Sequence, residues 1–196
     1  GVRYPQTGPN ASYYAANGNS LKQLFIKSPL KFGRVTSGFS KGRFHPILKV
    51  YRPHNGVDYG APIGTPIMTI GRGTVVAIGP QGGSGNMLKI QHNGTYSTAY
   101  LHMKGFAAGL HKGSVVEQGQ VIGYVGATGL ATGPHLHFAF YENGVYVDPL
   151  GRKFPSADPI AKNELPRFQK EISSVLRTLP DWNVAQHVEA TGDRPN

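Results

Sequence analysis

The stretch Gly133-Pro134-His135-Leu136-His137-Phe138 places two histidines two residues apart, at the start of an aromatic-rich run. A Gly-Pro pair precedes the run and Asn143-Gly144 follows it, which is typical of a β-strand between two turns. Side chains alternate between the faces of a strand, so His135 and His137 share one face while Leu136, Phe138 and Phe140 share the other. The stretch therefore predicts a core on one side and two imidazoles on the other, suited to a metal ion or to a metal ion and a base.

A second polar segment lies upstream and reads Arg52-Pro53-His54-Asn55-Gly56-Val57-Asp58-Tyr59-Gly60. Its proline and glycines disfavour a helix. In an extended segment the spacing places His54 and Asp58 on the same side, and Gly56 between them leaves room for a close approach. A His-x-x-x-Asp pair alone is a weak signal, because the two residue types meet at this spacing by chance.

A third segment is an alternating run that ends in Tyr100-Leu101-His102. Alternation predicts His102 on the same face as Tyr96, Thr98 and Tyr100. Residues 87–92 form a second strand-like run, and the Asn93-Gly94 pair between the two runs predicts a hairpin with a type I′ turn. The hairpin would deliver His102 at its far end.

Taken in this order, the three segments resemble the zinc metallopeptidases of the lysostaphin/LytM type, peptidase family M23, and most of all its Gram-negative murein DD-endopeptidases. The resemblance covers about residues 37–150. It includes four flanking sequence segments, namely Ser37-Gly38-Phe39, Arg43-Phe44-His45-Pro46-Ile47, Gly64-Thr65-Pro66 and Thr132-Gly133-Pro134. It implies a mainly β fold, with an antiparallel β-sheet and a barrel-sandwich-like core of the LytM type.

The resemblance further implies that one Zn²⁺ is the cofactor and that His54, Asp58 and His137 bind it. Two neutral imidazoles and one carboxylate suit a catalytic zinc, which keeps a coordination position for water. His135 and His102 then correspond to the catalytic histidines of the family. His135 is placed to take a proton from the attacking water, and His102 to donate to the oxyanion or to orient the water. The sequence leaves the division of these two roles open.

Four more residues are candidates for the substrate groove: His45, Tyr59, Tyr100 and Thr128. His45 lies in the Arg-Phe-His-Pro segment of the resemblance, where a structural role in a turn is an equal alternative. Ala139 departs from the family, whose members often carry glutamate after the His-Phe pair. Alternation places Ala139 on the histidine face, so a partner of the metal ligands is either missing or supplied from elsewhere.

The composition suits a turn-rich β-protein, since 27 of 196 residues are glycine, 15 are proline and only 15% are charged. The lack of cysteine excludes disulfides, thiolate metal sites and cysteine catalysis. The formal net charge of +10 favours an anionic partner such as a cell-wall polymer, whereas scattered lysines and arginines without an RNA-binding motif argue against nucleic acid. No apolar stretch is long enough to span a membrane. Because the chain starts at Gly1 rather than Met, we expect a mature or truncated form of a protein exported to the bacterial periplasm or cell envelope.

The pattern of elements predicts three parts: residues 1–34 as a remnant of, or link to, a preceding domain, 35–150 as the peptidase domain, and 151–196 as a C-terminal extension. In the first part, the Ser20-Leu21-Lys22-Gln23 capping-box spacing predicts a short N-terminal helix through Ile26. In the last part, apolar residues at helical spacing predict an amphipathic helix over about 163–178, which would cover the β-core or a missing domain.

Several functions compete at this point. The leading one is a zinc endopeptidase that hydrolyses peptide crosslinks of peptidoglycan, with stem peptides as substrate and a regulatory adaptor as a further candidate partner. The D-Ala to meso-diaminopimelate crosslink is favoured over a polyglycine bridge, because residues 13–29 resemble Gram-negative members and no SH3-like wall-binding module is evident.

Two other classes are alternatives to this enzyme. The first is a non-catalytic LytM-type activator of another wall hydrolase, against which stands the retention of every metal-ligand position. The second is a lipoyl or biotin carrier, suggested by two similar strand-turn-strand segments over 64–79 and 112–123. A carrier needs a lysine at a hairpin tip, where this chain has Glu117-Gln118-Gly119-Gln120.

Overall fold

The computed structural model of the chain describes residues 1–5, 12–44 and 51–177, and the chain divides into two compact units. One unit combines residues 1–24 with the segment that begins at Pro155, and the other comprises Phe25–Phe154. The division therefore differs from the three consecutive parts drawn from the sequence. The two ends of the chain belong together because their backbones pair, as when Leu24 N donates to Pro155 O and Ala157 N donates to Lys22 O.

The smaller unit contains the strands β1 (Val2–Tyr4) and β2 (Ser12–Tyr14) and the helix α1 (Leu165–Arg177). The strands pair antiparallel, with Val2 opposite Tyr14. The helix agrees with the amphipathic helix predicted over 163–178, although Thr178 lies outside the described residues. Its buried residues Phe168 and Ile172 form a core with Tyr4 and Ile160. The apolar stripe of the helix thus packs on the N-terminal hairpin of its own unit, a partner that was neither of the two predicted alternatives.

The short N-terminal helix predicted through Ile26 is wrong. Ser20 forms a bridge with Tyr14, and Gln23 forms one with Ser156. The Ser20 hydroxyl accepts a hydrogen bond from Lys22 N, two residues along, which is a turn and not the bond of a capping box. These pairings use the backbone in bridges to distant residues, so no i to i−4 ladder forms.

The larger unit is built from short strands. In chain order they are β3 (Arg34–Ser37), β4 (Ser40–Phe44), β5 (Tyr51–His54), β6 (Val57–Gly60), β7 (Pro66–Met68), β8 (Gly73–Pro80), β9 (Asn86–Gln91), β10 (Tyr96–Phe106), β11 (Val115–Val116), β12 (Val121–Val125), β13 (His135–Glu142) and β14 (Val145–Val147). All pairings between the described strands are antiparallel, which confirms the mainly β fold. Within the described ranges, no helix is long and apolar enough to cross a membrane.

The main sheet runs in the order β11-β8-β9-β10-β13-β6-β3, and β12, β14 and β7 join its sides. The two similar strand-turn-strand segments contribute β7 with β8 and β11 with β12. Their strands pair across the segments, because β7 binds β12 and β8 binds β11. Strands β4 and β5 form a separate two-stranded sheet.

Strand β13 lies between β10 and β6 and confirms the alternation expected of it. Leu136, Phe138 and Phe140 are at most 2% exposed and face the core, while His135 and His137 face the other side. Phe138 packs against the ring of Tyr100, and Phe140 packs against Phe25. The core thus fixes the strand that carries the two histidines.

The turns of two hairpins differ from expectation. Neither Asn93 nor Gly94 has the left-handed φ that a type I′ turn requires, so that prediction is wrong. The loop is one residue longer, with His92 N donating to Tyr96 O, and the Asn93 side chain accepts from the backbone nitrogens of Thr95 and Tyr96. The left-handed pair occurs instead at Asn143 (φ 51°) and Gly144 (φ 77°), between β13 and β14.

Candidate metal centre and active site

Three side chains converge on one small volume beside β13. His54 Nε2 lies 2.9 Å from Asp58 Oδ1 and 3.1 Å from His137 Nδ1, and the last two atoms are 2.8 Å apart. Three atoms this close together can all contact one zinc ion at its usual ligand distance of about 2.0–2.2 Å. His54, Asp58 and His137 therefore form a cluster that could hold a metal ion.

The cluster is assembled from three strands. Asp58 on β6 stands opposite His137 on β13, so the antiparallel register sets these two side by side. His54 ends β5, which belongs to the other sheet, and reaches the cluster because the chain turns at Asn55-Gly56. A Cβ on Gly56 would lie 2.6 Å from His137 Nε2 and 2.6 Å from the Phe138 carbonyl oxygen. Glycine at this position thus allows the turn to pass directly over the ligand ring.

Hydrogen bonds and charge prepare the three groups for a metal. His54 Nδ1 donates to the Gly38 carbonyl at 2.7 Å, so that Nε2, which faces Asp58, presents a lone pair to a metal ion once it has lost its proton. Burial alone would raise the pKa of the Asp58 carboxyl, but the hydrogen bonds and charges of His137 and His54 outweigh it and hold that pKa well below its usual range. Asp58 is therefore a carboxylate at neutral pH, and the donor set fits zinc.

Two further histidines stand at the edge of this cluster. The rings of His102 and His135 lie 4.8 Å apart, and the ring of His102 lies 6.1 Å from that of His137. His102 Nδ1 donates to the Thr128 carbonyl at 2.7 Å, and His135 Nδ1 donates to the Gly133 carbonyl at 2.9 Å. Both rings are thus held by Nδ1, and Nε2 of each is left without a proton when the ring is neutral.

His102 reaches this position through an irregularity of β10. The pairing with β9 shifts by one residue between Tyr100 and Met103, and His102 has a left-handed φ of 60°. Tyr100 and Met103 both face the core as a result, and His102 turns to the face of His137. The prediction that His102 shares the face of Tyr96, Thr98 and Tyr100 is therefore wrong.

The cluster lies in a groove of about 620 Å³. Its lining comes from the cluster strands, from the loops 83–84 and 130–134, and from aromatic and apolar side chains that the sequence did not single out: Met87, Leu101, Leu130, Tyr141 and Tyr146. Tyr141 could have been found by alternation, because it lies four residues beyond His137 on β13. Ala139 lines the groove between them, as its place on the histidine face required.

Of the four residues predicted for the groove, the three that the structure describes do not line it. Tyr59 and Tyr100 are 4% and 0% exposed and lie on the core side, so the structure corrects their assignment to the groove. Thr128 does not line the groove; its hydroxyl donates to the Met103 carbonyl and its own carbonyl accepts from His102. It holds the irregular part of β10 in place. His45 lies outside the described residues.

An antiparallel β-sheet that carries a two-histidine, one-carboxylate cluster beside two further histidines is typical of metal-dependent hydrolases. Within that class the chain belongs to peptidase family M23, whose model matches residues 52–149. The resemblance noted in the sequence is thereby confirmed.

Individual relatives agree with this family. The peptidoglycan DD-endopeptidase ShyC of Vibrio cholerae is 42% identical over 149 residues, which are 76% of this chain and 34% of the relative. The peptidoglycan DD-endopeptidase ShyA of the same species is 39% identical over 181 residues, 90% of this chain and 42% of the relative. A solved zinc-containing peptidase from Vibrio cholerae matches with a TM-score of 0.64 and 39% identity, over 76% of this chain and 46% of that one. The chain thus spans less than half the length of these relatives.

Proposed function

We propose that this chain is a zinc-dependent endopeptidase that hydrolyses the D-Ala to meso-diaminopimelate crosslinks of peptidoglycan. The observation that carries the proposal is the convergence of His54, Asp58 and His137 on one point, with His102 and His135 beside them. The bond is suggested by the relatives ShyC and ShyA, which are peptidoglycan DD-endopeptidases.

Zinc would be held by His54 Nε2, Asp58 Oδ1 and His137 Nδ1. The metal is suggested by this donor set and by the zinc-containing relative from Vibrio cholerae. When bound, zinc polarises a carbonyl group and lowers the pKa of a water molecule toward neutrality. The protein contributes an ionised carboxylate and a His54 ring fixed in one tautomer by Gly38.

His135 and His102 would move the protons. His135 Nε2 lies 4.0 Å from Asp58 Oδ1, next to the ligand atoms, and is suited to accept a proton from the attacking water. Burial lowers the pKa of His102 to about 4, so its ring is neutral at pH 7. With Nδ1 donating to Thr128, the neutral ring can only accept a hydrogen bond at Nε2. This favours His102 as the group that orients the water over one that donates to the oxyanion.

The groove suits an amide substrate. Asp58 is the only acidic residue among those that line it, so the described groove lacks the carboxylate pair that glycoside hydrolysis uses. Its length along β13 suits an extended peptide. The net charge of +10 should bring the protein to an anionic wall, with binding that weakens as salt rises. We infer a site of action in the bacterial cell envelope.

The test is a digest of purified Gram-negative sacculi, in which dimeric and monomeric muropeptides are followed over time. The expected result is conversion of dimers to monomers, with the glycan strands intact. Chelation should stop the reaction and added zinc should restore it. His135→Ala serves as the matched inactive variant, because it removes one proton-transfer group and leaves the three ligands in place.

Two outcomes would contradict the proposal. If dimers persist while a pentaglycine peptide is cut, the substrate is a polyglycine bridge. If neither is cut by a zinc-loaded chain, but the chain stimulates a separate wall hydrolase, the protein is a non-catalytic activator.

A further inference from the structure

The groove extends away from the metal cluster along β13 to a pair of tyrosines. Tyr141 and Tyr146 line its far end, with ring centroids 4.4 Å apart. Tyr141 shares the face of His137 and lies four residues beyond it, a distance of about 13 Å along a strand. Substrate that lies along β13 from the metal cluster must therefore pass these two rings.

A lysine from a neighbouring strand reaches the same place. Lys89, Ala99 and Ala139 form one row across β9, β10 and β13. Because the Ala99 side chain between them is short, the Lys89 chain can cross it, and its ammonium lies 4.3 Å from the ring centroid of Tyr141. Tyr141 itself lines the groove, so its ring places the ammonium beside the groove.

The Lys89 ammonium is held by an aromatic face and not by an acid. In the part of the chain that the structure describes, Lys89 takes part in no ion pair, whereas Arg72, Arg152 and Arg167 each contact a glutamate. A cation over a tyrosine ring keeps its full charge, which is still available to a carboxylate. The Lys89 ammonium is thus held at one ring of the groove lining, with its charge not neutralised by an acid.

We propose that Lys89, held over the groove-lining Tyr141, binds a free carboxylate of the stem peptide two to four residues from the bond that is cut. This inference rests on the proposed function. The spacing follows from the strand rise of about 3.3 Å per residue, because Ala139 and Tyr141 lie two and four residues from His137. Stem peptides carry free carboxylates on their glutamate and diaminopimelate residues. A polyglycine bridge carries none, so Lys89 would also discriminate between the two substrates.

The test compares a crosslinked dimer with free carboxylates and two amidated dimers, one blocked at glutamate and one at diaminopimelate. The wild type should cut one of the amidated dimers about tenfold more slowly than the free acid, as expected for one hydrogen bond to a charged group. Lys89→Met should lower kcat/KM on the free acid to the amidated level, mainly through KM, while Lys89→Arg keeps the preference. Lys112→Met removes an equally positive but exposed lysine outside the groove and should change nothing.

A binding measurement keeps the inference separate from catalysis. Calorimetric titration of a free-acid stem peptide and its amidated forms should show a weaker Kd for one amide with the wild type and no difference with Lys89→Met. Equal affinities of the wild type for all forms, or an equal loss on all forms in Lys89→Met, would overturn the role of Lys89. Absence of cleavage with a retained Kd difference would instead refute the proposed endopeptidase activity and support the carboxylate site.

Discussion

Gly56 lies against the imidazole of His137, and replacing it with alanine should remove the metal from the site while the rest of the fold persists. The added Cβ would stand 2.6 Å from His137 Nε2, 2.8 Å from His137 Cε1 and 2.6 Å from the Phe138 carbonyl oxygen. The carbonyl belongs to the backbone of β13 and cannot move far, so the ring must yield. An ordinary contact of about 3.4 Å requires a shift of about 0.8 Å, whereas a zinc ligand tolerates only about 0.2 Å.

The expected loss of metal affinity is large. Removing a group that merely orients a metal ligand costs about 10–100-fold in affinity, so displacing a ligand should cost at least 100-fold. The added methyl group should also lower the free energy of unfolding by about 1–3 kcal/mol, the usual cost of overpacking. The measurements are competition for zinc with a chromophoric chelator, cleavage of sacculi, and urea unfolding.

Gly38→Ala is the matched control. The Gly38 carbonyl also contacts a proposed metal ligand, His54, but a Cβ at Gly38 would meet nothing within 4 Å. This variant should keep its zinc and its activity. Wild-type zinc affinity and turnover in Gly56→Ala would refute the role given to Gly56, and equal losses in both variants would show that any change near the cluster is harmful.

Four further outcomes are expected. His137→Ala should lose zinc while His135→Ala retains it, as measured by metal analysis; the reverse result would exchange the two assignments. His135→Ala and His102→Ala should each keep the metal and lose activity by about 100- to 10,000-fold, and near wild-type turnover would remove that residue from the mechanism. In the metal-free protein, burial lowers the pKa of His102 to about 4, so the unfolded chain binds the proton first. The free energy of unfolding should then fall by up to about 3 kcal/mol as pH drops from about 6.5 to 4, and His102→Gln should flatten this dependence in urea titrations. Truncation after Phe154 removes Phe168 from its contact with Tyr4 and should reduce stability more than activity per folded molecule; a stable but inactive product would contradict this.

Periodicity alone was sufficient for the strand that carries His135 and His137. Its two faces meet such different surroundings, core and groove, that a shift by one residue would bury both imidazoles and expose Leu136 and Phe138. The neighbouring Asp58 follows from the register with His137. The even spacing of His54 and Asp58 was not sufficient to predict the position of His54. The segment is not one extended strand but two strands in different sheets. The turn between them lies so close to the His137 ring and the Phe138 carbonyl that Gly56 has no room for a Cβ.

Local signals were less reliable where a longer-range contact used the same groups. The capping-box spacing at Ser20 predicted a helix, but the backbone of this segment bridges to Tyr14 and Ser156 instead. The chain has four Asn-Gly pairs, and only Asn143-Gly144 has the left-handed φ at both residues that a type I′ turn requires. At Asn93 the side chain accepts two backbone hydrogen bonds and closes a longer loop, a choice that depends on the register of β9 with β10 and is not visible in the dipeptide.

The sequence motif identified His102 as a site residue, but strict strand alternation assigned its side chain to the wrong face of β10. Regular alternation would bury it in the core beside Tyr100, where an imidazole would need a new partner. The extra residue in β10 and the left-handed backbone of His102 avoid this, at a cost of about 1–3 kcal/mol. The surroundings impose the conformation: Thr128 binds the Met103 carbonyl through its hydroxyl and the His102 ring through its carbonyl. A backbone held in an unfavourable conformation by two bonds from one residue, with its imidazole beside the His54-Asp58-His137 cluster, supports the role proposed for His102 in the reaction.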